Sequence, residues 1–309
     1  MKILITGGTG MVGSAFRDLR SGHKIILVGS RDYNLTQDGS ADQMLEDHCP
    51  DAIIHLAARV GGVKGNSDFV ADFYSENIRM NANILDAARR HNVKKVLSLL
   101  STCVYPNEVT YPLTEDQIHS GPPHSSNFGY AYAKRMLDVQ SRALRQQYGC
   151  NFICAIPNNL YGPHDNFDVE TGHVIPAIIR KVWEAKLNGS TPVFWGDGSA
   201  LREFTFSKDI ASVLLFLLES YNDPSPINVG LTNECSILDV VDLVCEHLEY
   251  FGPVKWDVTK PTGQFRKPSD NKNLARMGWD VTQYTTLGDG LRLTCEWFKQ
   301  NYPLVRGVQ

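Results

Sequence analysis

The sequence predicts an α/β protein: a Rossmann-type, doubly wound parallel sheet carrying a smaller mixed α/β lobe. Three observations lead to that expectation. Short apolar runs alternate with longer helical patterns through the first half of the 309 residues. The first run leads straight into a glycine-rich turn, Thr6-Gly7-Gly8-Thr9-Gly10-Met11-Val12-Gly13. The second half changes character, with helical stretches separated by short strands and Pro/Gly turns. Parallel strands need long crossover connections, so strands alternating with helices imply parallel pairing.

The expected strands of the first half are Lys2–Thr6, Lys24–Val28, Ala52–Leu56, Lys95–Leu100 and Phe152–Ile156. Each is short, apolar and rich in β-branched residues or leucine, as a strand buried on both faces should be. Between them the clearest helical patterns are Asp68–His91 and Tyr130–Tyr148. Further helices are expected near Val174–Lys186, Ser207–Ser220, Ile237–Leu248 and Leu287–Asn301. Residues 1–160 are read as a dinucleotide-binding domain and 161–309 as a substrate lobe. With no sharp linker between them, later segments are expected to return to the first domain.

Composition excludes several classes. Hydrophobic residues make up 42%, charged residues 21%, and the net charge is −4. There is no global basic field to draw the chain to nucleic acid or an anionic membrane. No apolar run reaches transmembrane length, and the start leaves no room for a cleaved signal peptide. The seven cysteines are odd in number and contain no CxxC pair. A reducing, cytoplasmic setting is expected, and no zinc-spaced cluster suggests a metal.

Gly7, Gly10 and Gly13 form a GxxGxxG turn between the first strand and a helix. Glycines there permit a tight turn and close approach of backbone to a pyrophosphate. Met11 and Val12 open the helix. The second strand ends Val28-Gly29-Ser30-Arg31. An NAD-specific site usually carries an acid here for the adenosine ribose hydroxyls. Arg31 instead suits a 2′-phosphate, so NADPH/NADP+ is the expected cofactor, although Asp32 follows. After the third strand, Leu56-Ala57-Ala58 supplies small residues over which a cofactor can lie.

Tyr130-Ala131-Tyr132-Ala133-Lys134 places a tyrosine and a lysine one helical turn apart on one face. A nearby ammonium should stabilise the phenolate and lower the tyrosine pKa. The fourth strand runs into Ser101-Thr102-Cys103-Val104-Tyr105-Pro106, with Ser101 at the carboxyl end where ligands bind in such sheets. Read alone, Cys103 would be a buried structural cysteine and His173 a surface or capping group.

Glycine turn, strand-end serine and Tyr-x-x-x-Lys, in this order, resemble the extended short-chain dehydrogenase/reductase superfamily, whose members act mostly on nucleotide sugars. Within it the stretches Asn127–Tyr130, Pro157–Phe167, Gly172–Pro176 and Trp195–Phe204 are similar to the GDP-L-fucose synthases, the GDP-4-keto-6-deoxy-D-mannose 3,5-epimerase/4-reductases. The resemblance implies catalytic roles for Ser101, Cys103, Tyr130, Lys134 and His173, with Tyr130, Lys134 and His173 also lining the cofactor site. It implies GDP-sugar contacts from Asn159, Lys181, Trp195, Arg202 and Lys267, and a homodimer joined through the two long helices. Thr9 stands where some relatives carry arginine, which leaves Arg31 more of the 2′-phosphate recognition. Two other readings stay open: an epimerase holding NAD with no net reduction, and a cofactor-sensing regulator without catalysis.

Overall fold

The structure is a computed structural model describing residues 1–260 and 265–308. The first half lays down β1 (Lys2–Thr6), α1 (Met11–Ala15), β2 (Lys24–Val28), α2 (Ser40–His48), β3 (Ala52–His55), α3 (Val63–Asp68), α4 (Val70–Arg90), β4 (Lys95–Leu99), α5 (Phe128–Tyr148) and β5 (Phe152–Pro157). The second half adds β6 (Asn159–Tyr161), α6 (Val174–Asn188), β7 (Val193–Trp195), β8 (Leu201–Phe206), α7 (Ser207–Ser220) and β9 (Ile227–Val229). It closes with β10 (Glu234–Ser236), α8 (Ile237–His247), β11 (Lys255–Asp257), α9 (Lys272–Arg276) and α10 (Leu287–Asn301).

A six-stranded parallel sheet runs in the order β2-β1-β3-β4-β5-β9. Every residue of β3, β4 and β5 is buried, so both faces of the sheet must be covered by helices. Alternation along β1 divides the two cores. Leu4 faces Met44, Leu45, Ile84 and Leu137 from α2, α4 and α5. Ile3 and Ile5 face the other layer, with Val12 of α1 and Ile210 and Leu214 of α7. Burying a side chain of this size contributes about 1.5–3 kcal/mol. The strand order reverses between β1 and β3, which opens a crevice at their carboxyl ends. Register aligns those ends, with Thr6 opposite both Val28 and His55, and His55 opposite Ser98.

The chain leaves this sheet after β5, then returns through α7 and β9. The remaining strands form a three-stranded sheet, β10-β8-β6, and a parallel pair, β11-β7. Their core gathers Tyr161, Phe167, Ile179, Phe204, Leu291 and Phe298 under α6, α8 and α10.

Two local differences from the sequence expectation have physical causes. The helix expected over Asp68–His91 is α4, which starts at Val70 because Phe69, with φ of −122° and ψ of 41°, is its N-cap and separates it from the unexpected short α3. Helix α2 was not expected, because it is short and polar and buries only Ala41, Met44 and Leu45.

Candidate active site

The glycine turn depends on its missing side chains. Gly7 has φ +70°, and a Cβ there would lie 2.8 Å from Ala57 N. A Cβ on Gly13 would lie 2.4 Å from Gly7 O. Gly10 N donates to Gly7 O at 2.9 Å and begins α1 with no side-chain cap. Side chains on Gly7 and Gly13 would thus fill the cradle that backbone and a pyrophosphate must share. Met11 is half-buried, and Val12 points into the core, leaving its backbone for ligand contact.

At the end of β2, Asp32 turns back on its own loop. Its Oδ2 accepts from Gly29 N at 2.7 Å, and Asp32 N and Tyr33 N donate to Gly29 O at 3.1 Å. Arg31 is exposed and has no ion pair among the described residues. The acid thus serves the turn while the guanidinium stands free for an anion. Leu56, Ala57 and Ala58 are half-buried at the tip of β3, where Ala57 N donates to Thr6 Oγ1 at 3.3 Å.

Beneath this crevice lies a polar relay that periodicity did not reveal. His55 is fully buried, with Nδ1 2.8 Å from Thr6 Oγ1 and Nε2 3.1 Å from Asn81 Oδ1. Asn81 Nδ2 in turn donates to Ala133 O in α5 at 2.9 Å. Burial takes the His55 imidazole down to about 3, with the Lys134 charge pushing the same way, so it is neutral at physiological pH.

The candidate catalytic residues gather where β4 ends. Ser101 is extended (φ −162°, ψ 154°) and caps a single 3-10 turn, Thr102–Val104, its Oγ accepting from Cys103 N at 3.4 Å. Tyr130 and Lys134 lie one turn apart on α5, 8% and 2% exposed. Gly129 lets α5 close on α4, since a Cβ there would lie 2.8 Å from Val70 O. Lys134 Nζ donates to Leu99 O at 2.8 Å. Burial brings its ammonium down to about 8.

The expected lowering of the Tyr130 pKa is corrected by the structure. Burial pushes the phenol up, and the Cys103 side chain adds to the rise. Lys134 directs its ammonium at the Leu99 carbonyl instead. A protonated Tyr130 is the form that can donate to a developing oxyanion.

His173 occupies the N-cap position of α6, exposed, with no side-chain capping bond. Its turn is docked on the loop after β3: Gly62 N donates to Thr171 O at 2.8 Å. A Cβ on Gly62 would lie 2.5 Å from Gly172 O, so only glycine permits this approach. Asp165 is buried nearby, its carboxyl pushed up by burial and held down in part by the His173 charge. Sequence reasoning gave Asp165 no role; its burial depends on contacts far along the chain.

Arg202 and Lys267 form a second cluster. Burial is the main cause lowering both pKa values, and for Lys267 the neighbouring Arg202 charge lowers it further while Cys103 opposes. Neither has an ion pair among the described residues; Glu234, beside Arg202, is already held by Arg266. Two adjacent half-buried cations without a carboxylate form a site suited to an anionic ligand. Glu203 anchors the segment bearing Lys267, accepting from Ser269 Oγ at 2.6 Å and Ser269 N at 3.1 Å. Asn159 is exposed and donates to Glu203 O at 2.9 Å. Trp195 is 50% exposed. Lys181 donates to Val193 O at 2.9 Å with its ammonium 5.8 Å from the Phe194 ring centroid, so an anion would have to draw it away. Among the described residues no three His, Cys, Asp or Glu side chains gather as a metal site.

A parallel sheet with a glycine cradle, a strand-end serine and a buried Tyr-Lys pair defines a nucleotide-cofactor-binding fold of the short-chain type. Residues 3–230 match the family described as "NAD dependent epimerase/dehydratase family", and the chain belongs to that family. Among its relatives, the GDP-L-fucose synthase of Dictyostelium discoideum is 40% identical over 98% of this chain and 97% of its own length. GDP-L-fucose synthase 1 of Arabidopsis thaliana is 37% identical over 97% and 94%. The crystal structure of a GDP-L-fucose synthetase from Naegleria fowleri bound to NADP superposes with a TM-score of 0.91 at 38% identity, covering 99% of this chain and 96% of that one.

Proposed function

We propose that the chain is a bifunctional, NADPH-dependent enzyme converting GDP-4-keto-6-deoxy-D-mannose to GDP-L-fucose. The observation that supports this most is a single constellation: Ser101, Cys103, Tyr130 and Lys134 around the end of β4, with Lys267 beside Cys103 and Arg202 beside Lys267, neither cation ion-paired among the described residues. Full-length relatives named GDP-L-fucose synthase and an NADP-bound structural relative support the substrate and cofactor.

Gly7, Gly10, Met11, Val12 and Gly13 cradle the cofactor pyrophosphate, Arg31 reads the 2′-phosphate, and Leu56, Ala57 and Ala58 flank the dinucleotide. Tyr130, Lys134 and His173 border its nicotinamide end. When bound, NADPH is the source of the hydride that carbon 4 receives. Arg202, Lys267 and Lys181 neutralise the substrate diphosphate, with Asn159 and Trp195 contacting the rest of the GDP-sugar. The carbon 4 ketone acidifies the protons on carbons 3 and 5. Ser101 and Tyr130 donate to the enolate oxygen as each proton leaves. Cys103 accepts the proton as thiolate and His173 returns one on the opposite face, which inverts the centre. Tyr130 then protonates the carbon 4 oxygen during reduction. Residues 1–160 form the cofactor domain, rejoined by later segments, and 161–309 the substrate lobe.

The enzyme is a homodimer through α4 and α5. The apolar face these helices turn outward includes Tyr74, Phe128, Tyr132 and Val139, 42–49% exposed, and a second copy covers it. Seven free cysteines fit a reducing cytoplasm. Among the described residues no helix is long and apolar enough to cross a membrane.

The competing NAD-retaining epimerase would consume no reductant. Incubation of the purified chain with the 4-keto sugar nucleotide and NADPH should oxidise one equivalent of cofactor per sugar. Epimerised ketone accumulating with NADPH untouched would overturn the proposal.

A further inference from the structure

We propose that Asn127 is a positioning residue for proton transfer, its side-chain amide holding the Cys103 sulfur in place as an acceptor. This rests on the reading of Cys103 as the base. Asn127 Nδ2 donates to Cys103 Sγ at 3.0 Å, across 24 residues of sequence. Asparagine immediately before a helix ordinarily turns its side chain onto the first turn to cap it. Asn127 stands in that position before α5 and makes no such bond. Its Oδ1 is also buried without a partner among the described residues. The side chain therefore does not cap the helix; among the described residues its one bond is to sulfur.

The direction of that bond matters. A thiol is a weak acceptor, whereas a thiolate accepts charge-assisted hydrogen bonds. An amide N–H aimed at sulfur thus favours the nucleophilic, basic form and fixes where its lone pair points. The other groups facing Cys103 complete the setting. Lys267 contributes an ammonium from the segment after β11, Tyr130 a phenol from α5, and Ser101 Oγ holds the Cys103 backbone N–H. Among them, Asn127 makes the direct hydrogen bond to the sulfur. The connection also ties the base to the start of the helix that carries Tyr130, so the two reacting groups share one support.

The test compares wild type with Asn127→Ala, Asn127→Asp and Cys103→Ser. Asn127→Asp keeps the shape and an acceptor oxygen but removes the donor. Solvent deuterium exchange at carbons 3 and 5 is read separately from reduction of the already epimerised 4-ketone. Alkylation of Cys103 by iodoacetamide, followed by mass spectrometry without substrate or cofactor, gives an independent readout. Loss of a charge-assisted bond should slow exchange and Cys103 alkylation about 10- to 100-fold in both Asn127 variants. Reduction of the epimerised ketone should stay within about threefold. Wild-type exchange and alkylation in both variants, or an equal fall in exchange and reduction, would overturn the proposal. Cys103→Ser separates the two layers. Should it exchange both protons at the wild-type rate, the base assignment falls and this inference with it. Should it stop exchange while the Asn127 variants do not, only the present inference falls.

Discussion

Arg31 stands exposed at the end of β2, while the adjacent acid, Asp32, is engaged by the Gly29 amide. A guanidinium bound to a 2′-phosphate makes charge-assisted hydrogen bonds worth about 1.5–3 kcal/mol. With Thr9 adding no charge, the lower half of that range applies, a preference for NADPH over NADH of roughly 10- to 40-fold. Arg31→Ala should lose most of it through KM for NADPH, with kcat at saturation little changed. Measuring kcat/KM with both cofactors checks this, and an unchanged preference in the variant would contradict it. Tyr130→Phe removes the proton donor but not the ring that packs at 6.4 Å from Phe73. Reduction should fall about 10²- to 10⁴-fold while NADPH affinity, followed by fluorescence titration, stays within a few fold. A variant with near-wild-type kcat would exclude Tyr130 from the chemistry. The placement of Ser101 at a strand end and of Tyr130 and Lys134 one helical turn apart was legible in the sequence because both relations are local. Asn127 and Asp165 were not, since Cys103 Sγ and His173 meet them only through the fold.

At the scale of elements, the buried His55 links β1, β3, α4 and α5 into one support for the crevice. Its pKa is near 3 in the folded chain against 6.5 for the free group. Between those values the unfolded chain binds more protons than the native one, so stability falls as pH drops through that window. The loss should reach a few kcal/mol by about pH 4. His55→Asn should flatten this acid limb in urea unfolding measured from pH 7 to pH 4. Parallel pH dependence in wild type and variant would contradict the assignment. Element reading from sequence succeeded where an apolar run or an amphipathic stripe has clear ends, as in β1, β2, α7 and α10. It missed α2, where polar residues leave little periodicity, and α3, whose six residues are too few to show any.

For the whole molecule, Lys267, from the segment after β11, comes beside both Arg202 of β8 and Cys103 just past the end of β4. No local motif specifies that approach; it depends on Glu203 binding Ser269 and on Leu113 bridging Ser269. The outward face of α4 and α5 should bury itself against a second copy. Tyr74→Arg, which places a charge in that face, should convert a dimer to a monomer in light scattering coupled to size exclusion. A wild-type chain that elutes as a monomer at micromolar concentration would contradict the interface. In the proposed reaction one site inverts two carbons and reduces a third. Turnover of GDP-4-keto-6-deoxy-D-mannose with NADPH in deuterium oxide tests it most directly, with the product read by NMR. The expected product is GDP-L-fucose carrying deuterium at carbons 3 and 5 and protium, from the cofactor, at carbon 4. A 6-deoxy-D-hexose product with protium at carbons 3 and 5 would contradict it.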